Sequence, residues 1–416
     1  MKIAVISDLH IGPSTKAQDF CPKKLLKNNQ GRFDGLVEGF VNDFYCFIEK
    51  SDIRADYLFV CGDITDDAHP EEVKIASEFL KNAKEHLHIP GNHMYFVPGN
   101  HDADWTFYDE NDSTGIKWAQ RYVALKSPLF VFNDINNRAG SEGCLFENNY
   151  FKLWENDELV VLGYNSSSKD SKGTKIHCGE IVQEHLAEID AVLKAHQLTD
   201  DKRVKVCVVH HHLRNFPLPK PSNRDYSIAV NAEGLLDLLG KYKFDFLVHG
   251  HRHHSYFSSH SYPVPILAAG SFSVSLGTEL EGLASNQFHL IEMDKTDSGK
   301  VVGVVKSWSH NAIGWCKSEE CTATRCLGYL RPFGYTLSDD EVAKKLKEAI
   351  CKICEKMVHS FSLRDDVMKI CTEVKFLTES QSEIKDWCKE NVCYELGLDI
   401  KMCDDGDIIF ISKEPA

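Results

Sequence analysis

The chain has 416 residues, 43% of them apolar and 26% charged, a globular composition that excludes a wholly disordered, collagen-like or coiled-coil protein. At about 150 residues per domain, this length suits two or three domains, or one large domain with an appendage. The 47 basic residues against 62 acidic ones give a formal net charge of −15, which disfavours non-specific nucleic-acid binding through global charge but not a local basic groove.

The first predicted element is a strand at 2–6, a β-branched run that leads straight into Asp8 and His10 without an apolar leader. A cytoplasmic protein is therefore expected. Helical spacing follows at 33–50, a buried strand at 55–61, a helix at 71–85 and a short strand at 94–97. A helix is expected at 115–125 and strand pairs between 143 and 164. A clear amphipathic helix at 180–196 precedes the strand 204–209, the helix 232–242 and the strand 244–248. Strands dominate from 266 to 308, with a turn at Asp297-Ser298-Gly299. Strand, loop and helix in alternation argue for an α/β protein. The longest apolar stretches, 57–61 and 204–209, fall far short of the roughly 20 residues that span a bilayer, so no membrane helix is expected.

Composition changes near 314–337, which becomes cysteine-rich and irregular. Ser338-Asp339-Asp340-Glu341 then reads as a capped helix start. Expected domains are thus 1–313, a cysteine-rich connection 314–337 and a small, mainly helical appendage 338–416, with helices at about 339–359, 363–372 and 380–395 and a terminal hairpin through Asp404-Asp405-Gly406. The 15 cysteines are an odd number, nine of them from Cys316 onward, and reduced thiols are the default. Cys316, Cys321 and Cys326, with the C-x-x-C of Cys351 and Cys354, raise the idea of a structural zinc. On a helix, however, Cys351 and Cys354 share a face with Ile350 and Ile353, and burial explains them without a metal. A stripe of Val342, Leu346, Ile350 and Ile353 opposite Lys344, Lys345 and Lys347 must pack on something: the domain 1–313, a second protomer in a homo-oligomer, or another protein.

The chemistry-bearing residues follow predicted strands. Asp8 and His10 follow the first; Asp63 follows Val60-Cys61-Gly62; Asn100, His101 and Asp102 follow Val97-Pro98-Gly99; His210 follows Val208-Val209; His251 and His253 follow Val248-His249-Gly250. In open α/β sheets, ligands sit in the crevice beyond the carboxyl ends of the strands. Hard oxygen plus imidazole without thiolate suits two divalent ions of the Mn, Fe, Zn or Ni kind. Two positions stay open inside the pattern. Asn92, in the echo Gly91-Asn92-His93, rivals Asn100 but lacks a following acid, and His211 is an alternative to His210, with His212 expected at the rim. His249 and His254 are expected to be outer or surface groups.

In this order, D-x-H, GD, GNHD, a histidine after an apolar strand and GHxH resemble the calcineurin-like metallophosphoesterase superfamily, especially its cyclic-nucleotide phosphodiesterase-like branch, over about residues 1–310. The resemblance implies a four-layer sandwich of two mixed β-sheets flanked by helices. It also implies a dinuclear site in which Asp8, His10 and His253 hold one ion, Asn100, His210 and His251 the other, and Asp63 bridges both. The implied reaction is hydrolysis of a phosphate ester, more readily a diester, by a metal-bridging hydroxide. His101 would contact the phosphoryl oxygen or protonate the leaving alkoxide, and Asp102 would fix its tautomer. Two other readings are a nuclease acting on DNA or RNA ends with a partner protein, and a non-catalytic, metal-stabilised scaffold.

Overall fold

The structure, a computed structural model, describes residues 1–22, 36–91, 93–105, 150–170, 177–216, 228–259, 261–276, 284–296, 298–318, 327–335, 339–355, 360–367, 369, 371, 393, 396–402 and 408–412. The helix expected at 115–125, most of that at 380–395, the turn at 404–406, Asn92, Cys321 and Cys326 lie outside the described residues. Contacts divide the chain into two units, Met1–Ile291 with Lys306–Tyr329, and Glu292–Val305 with Leu330–Ala416.

The first unit opens with β1 (Lys2–Ile6), followed by helix α1 (Phe40–Lys50), β2 (Tyr57–Val60), helix α2 (Pro70–His86) and β3 (Met94–Phe96), the three strands running parallel. A second sheet is made by β4 (Phe151–Glu155), β5 (Leu159–Tyr164), β6 (Val204–Val209), β7 (Phe246–His249), β8 (Tyr256–Ser258) and β9 (Ile266–Ala268), in the order β4-β5-β6-β7-β9-β8. Helices α3 (Gln183–Ala195) and α4 (Ala232–Lys241) pack on it. Then β10 (Asn286–Lys295), β11 (Val301–Asn311) and β12 (Gly314–Lys317) extend the first sheet to β12-β11-β10-β1-β2-β3. These are the two mixed sheets with flanking helices expected from the sequence.

Strands β1, β2, β6 and β7 read as almost unbroken apolar runs because they are buried on both faces, as parallel strands under helices are. Phe40, Phe44 and Ile48 recur every four residues on the buried face of α1. Phe44 packs there against Phe272, Phe288 and Trp315, with ring centroids 4.8, 5.2 and 5.2 Å away, in a cluster whose aromatic contacts add to simple area burial. On the other sheet, Ile189, Leu193, Leu235, Leu236 and Leu239 pack with Val160, Leu162, Cys207, Val209 and Leu247.

Two local expectations change. The helix expected from 33 starts at Phe40, because Gly39 turns the chain at φ 73° and Val37 is held extended by its N–H to the Lys16 carbonyl at 2.8 Å. The irregular connection expected from 314 begins instead with β12, antiparallel to β11 and carrying the buried Trp315.

In the second unit, β13 (Leu330–Phe333) pairs with β11, and Val302 and Val304 pack with Leu330 and Tyr335. Helix α5 (Asp339–Cys354) is followed by β14 (Ser360–Ser362), a short helical turn at Leu363–Val367, β15 (Leu398–Met402) and β16 (Ile408–Ser412), which form an antiparallel sheet β14-β16-β15. Leu346, Ile350 and Ile353 lie on Phe361, Leu363, Val367, Leu398, Ile408 and Phe410. Leu346, Ile350 and Ile353 of the apolar stripe are therefore covered inside the unit by a sheet that helical periodicity alone did not announce. Cys351 and Cys354 are free thiols, and among the described residues no candidate metal group contains a cysteine.

One buried histidine of the first unit makes stability fall with acid. His289 is fully buried on β10, with Nδ1 2.8 Å from Ser307 Oγ, and burial lowers its imidazole to about 3. Above the unfolded value of about 6.5 both states are neutral and its contribution is complete. Below it, the unfolded chain takes up a proton that the folded chain refuses, so stability is lost progressively from about pH 6.5 towards 3. Urea midpoints measured across that range should fall with pH, and less steeply in His289→Gln; equal slopes would remove His289 as a cause.

Candidate metal centre

Register brings the pieces together. Ile6 pairs with Val60 and Val60 with Phe96, so the carboxyl ends of β1, β2 and β3 are level; Tyr164–Val209 and Val208–Val248 pairs do the same for β5, β6 and β7. Backbone pairing continues past the strands, with Asp8 N donating to Gly62 O, His10 N to Asp63 O and Gly250 N to His210 O, each at 3.0 Å. The two edges are tied where His251 N donates to both oxygens of the Asp8 carboxylate, at 3.0 and 3.1 Å. Close approach explains two motif glycines: a Cβ on Gly99 would overlap the Asp63 carboxylate, and one on Gly250 would overlap the Ser7 hydroxyl.

The backbone is strained at this spot. Asp8, His10, Asp63, His251 and His253 all have left-handed φ values, 50°, 45°, 49°, 83° and 59°. Each such residue costs about 1–3 kcal/mol, and clustering of this kind marks functional sites.

Three groups of potential ligand atoms result, each with its atoms within 4.8 Å of one another: Asp8, His10, Asp63 and His253; His210, His211 and His251; and His10, Asp66 and His101. Asp63 is central. Its Oδ2 lies 3.5 Å from His10 Nε2 and 3.2 Å from His210 Nε2, and its Oδ1 accepts the His101 N–H at 2.9 Å. Nδ1 of His210 lies 2.8 Å from the Cys61 carbonyl, which can only accept, so the proton of the neutral ring sits there and Nε2 offers a lone pair. His10 is held likewise, Nδ1 against Asp66 Oδ1 at 3.1 Å. Its Nε2 meets His253 Nε2 at 3.0 Å, and His251 Nδ1 meets His210 Nε2 at 3.3 Å.

Lone pairs converging on a carboxylate repel unless a proton or a cation stands between them. Buried Asn100 points to the same need, since its Oδ1 has no hydrogen-bond partner. Carboxylate, imidazole and amide oxygen together fit divalent ions of the first transition row. The ionisations are pushed apart accordingly. Burial pushes Asp8 up to about 6. It would raise Asp63 too, but His210, His101 and His10 hold that carboxyl well below the usual range. Burial opposes protonation of His210, yet Asp63 and Asp8 raise it to about 9, whereas burial and His210 lower His251 to about 3.

Residues 1–255 match the family model described as calcineurin-like phosphoesterase. The chain belongs to this family. No curated protein sequence matches it. Among solved structures, a dimetal phosphatase from Danio rerio is 13% identical, covering 74% of this chain and 95% of that one at a TM-score of 0.42. A purple acid phosphatase from yellow lupin, Lupinus luteus, is 14% identical over 74% of this chain and 51% of that one, at 0.43. Phosphopantetheinyl hydrolase from Mycobacterium tuberculosis is 16% identical over 65% and 89%, at 0.32.

Set beside the pattern of the calcineurin-like phosphoesterases, the structure gathers Asp8, His10, Asp63, His210, His251 and His253 and leaves the side-chain Oδ1 of Asn100 without a protein hydrogen bond. Asp102 is the exception. Its carboxylate does not reach the His101 ring but accepts N–H bonds from Ile64, Thr65 and Gly99, and the Thr65 hydroxyl, tying the two loops together. What orients His101 is Asp66, whose carbonyl takes Nδ1 at 2.8 Å and whose carboxylate lies 3.9 Å from the same atom. Asp66 is in turn fixed by Ser14 and by Glu72, which accepts the N–H groups of Asp66, Asp67 and His69 at the start of α2. The sequence signal for it was available, an acid three residues after Asp63 in Gly62-Asp63-Ile64-Thr65-Asp66. His212 is not at the rim: it is buried and stacked on Phe216 at 4.4 Å. His249 and His254 are buried as well.

Proposed function

We propose that the chain is a phosphodiesterase using two divalent ions, of the manganese, iron, zinc or nickel kind. Asp8, His10 and His253 hold one, Asn100, His210 and His251 the other, and Asp63 is shared. The observation that carries this reading is Asp63 Oδ2, which faces imidazole nitrogens of both groups, at 3.5 and 3.2 Å. When bound, such ions acidify water at neutral pH and neutralise charge on a phosphoryl group. The chain's own residues do the positioning. The Cys61 carbonyl and the Asp66 carboxylate present the Nε2 atoms of His210 and His10. With Nδ1 of His101 donating to the Asp66 carbonyl, the neutral ring offers a lone pair at Nε2, and the imidazolium form, protonated on both nitrogens, gives the Nε2 proton to a departing alkoxide.

The preference for a diester is supported by Gly99-Asn100-His101-Asp102 and Gly250-His251-Arg252-His253, which resemble the phosphodiesterase branch of the family. The free thiols among the described cysteines support a reducing, cytoplasmic setting, and no described helix is long and apolar enough to cross a membrane. The test is hydrolysis of bis-p-nitrophenyl phosphate and p-nitrophenyl phosphate by metal-stripped protein, with Mn²⁺, Fe²⁺, Zn²⁺ or Ni²⁺ added singly. Ion-dependent turnover with the larger kcat/KM on the diester is expected. Inactivity with all four ions removes the proposal, and a larger kcat/KM on the monoester replaces it with a phosphomonoesterase.

A further inference from the structure

We infer that Asp170 and His211 are a positioning pair that governs the half of the centre assigned above to Asn100, His210 and His251; the inference rests on that assignment. His211 is fully buried, and its ring centroid lies 4.3 Å from that of His251 and 4.9 Å from that of His210. Its backbone N–H donates to Ser166 Oγ at 3.2 Å, and the same hydroxyl lies 2.8 Å from the ring Nδ1. On the other side of the ring, Nε2 faces Asp170 Oδ2 at 3.4 Å. His211 groups with His210 and His251 by distance; its Nδ1 is taken by Ser166, its Nε2 has the Asp170 carboxylate as its neighbour without a hydrogen bond, and its ring acts as a spacer against its neighbours' rings.

Asp170 connects this spacer to the other side of the same half-site. It is 3% exposed, and its Oδ1 faces His177 Nδ1 at 3.7 Å. The His177 ring stacks on Trp105 at 4.5 Å and 9°, and Trp105 Nε1 donates to the backbone carbonyl of Asn100 at 3.0 Å. A continuous series of contacts thus runs from His251 through His211, Asp170, His177 and Trp105 to Asn100. Both ends fall on residues assigned to the same ion. The other half is braced separately, His10 by Asp66 and Asp8 by Ser7. A buried carboxylate close to this half-site also adds negative potential there. Outer partners of this kind are typically worth about 10–100-fold in ion affinity.

The test compares the full-length protein with Asp170→Asn and Ser166→Ala, using Mn²⁺ as the probe. Ions per chain are counted by elemental analysis after dialysis at graded free Mn²⁺, and thermal unfolding in EDTA reports the fold without metal. Wild type should hold two ions. The variants should keep one at wild-type affinity and bind the second about 10–100-fold more weakly, with the unfolding temperature in EDTA unchanged. If wild type holds two ions and both variants match it, or if both ions weaken equally, the inference is wrong while the two-ion reading stands. If wild type holds fewer than two, that reading fails. Should Asp170→Asn not fold, Ser166→Ala decides by the same measure.

Discussion

Asp63→Asn should leave a folded protein that holds neither ion and loses on the order of 10³–10⁴ in kcat/KM, the scale of several kcal/mol of charge stabilisation at about 1.4 kcal/mol per decade. The fold survives because the substitution keeps what the backbone needs. Oδ1 of the side chain still accepts the His101 N–H now held at 2.9 Å. Where Oδ2 faces the Nε2 atoms of His10 and His210, an amide N–H would donate to the lone pair of a neutral imidazole, replacing in the ion-free site the charged Asp63–His210 contact that, against burial, raises His210 to about 9. The centre would keep its connections without metal and be disabled for binding it. Elemental analysis after dialysis, unfolding temperatures in EDTA and kcat/KM on bis-p-nitrophenyl phosphate check the three parts. A variant that keeps two ions and wild-type turnover ends the shared role of Asp63.

The residues of this centre were legible where the ligand sits one to three positions after an apolar strand, because parallel pairing in register carries Asp8, Asp63, His210 and His251 to one edge. What lies between ligands was harder to read. Asp66 follows Asp63 by only three residues, yet its role depends on a turn set by Glu72 from α2, a contact that no local pattern encodes. Asp102 adjoins His101 in sequence but turns to the backbone of 64 and 65 instead. The three histidines 210–212 look equivalent in the chain. Structure separates them: His210 faces Asp63, His211 faces Ser166 and Asp170, and His212 stacks on Phe216. The appendage shows the same limit in secondary structure. The heptad-like spacing of α5 is plain, whereas β14 has three residues, too few for a period of two to register.

The second large effect is expected at His101. It contributes no side-chain contact to Asp63, only its backbone N–H, and its partly exposed ring is held through Nδ1 by the Asp66 carbonyl. His101→Ala should therefore keep both ions and lower turnover by about 10²–10⁴, the range of a positioned acid. Leaving groups tell what the ring does. p-Nitrophenolate departs without a proton, so its release should suffer at the low end of that range, while an alkyl ester whose alkoxide must be protonated should suffer at the high end. Equal losses on both substrates would mean that His101 binds the phosphoryl oxygens and donates nothing to the leaving group. Ion loss in His101→Ala would instead make the imidazole a ligand, on the side of the half assigned to His10, since the ring stands 4.6 Å from His10 and groups with His10 and Asp66.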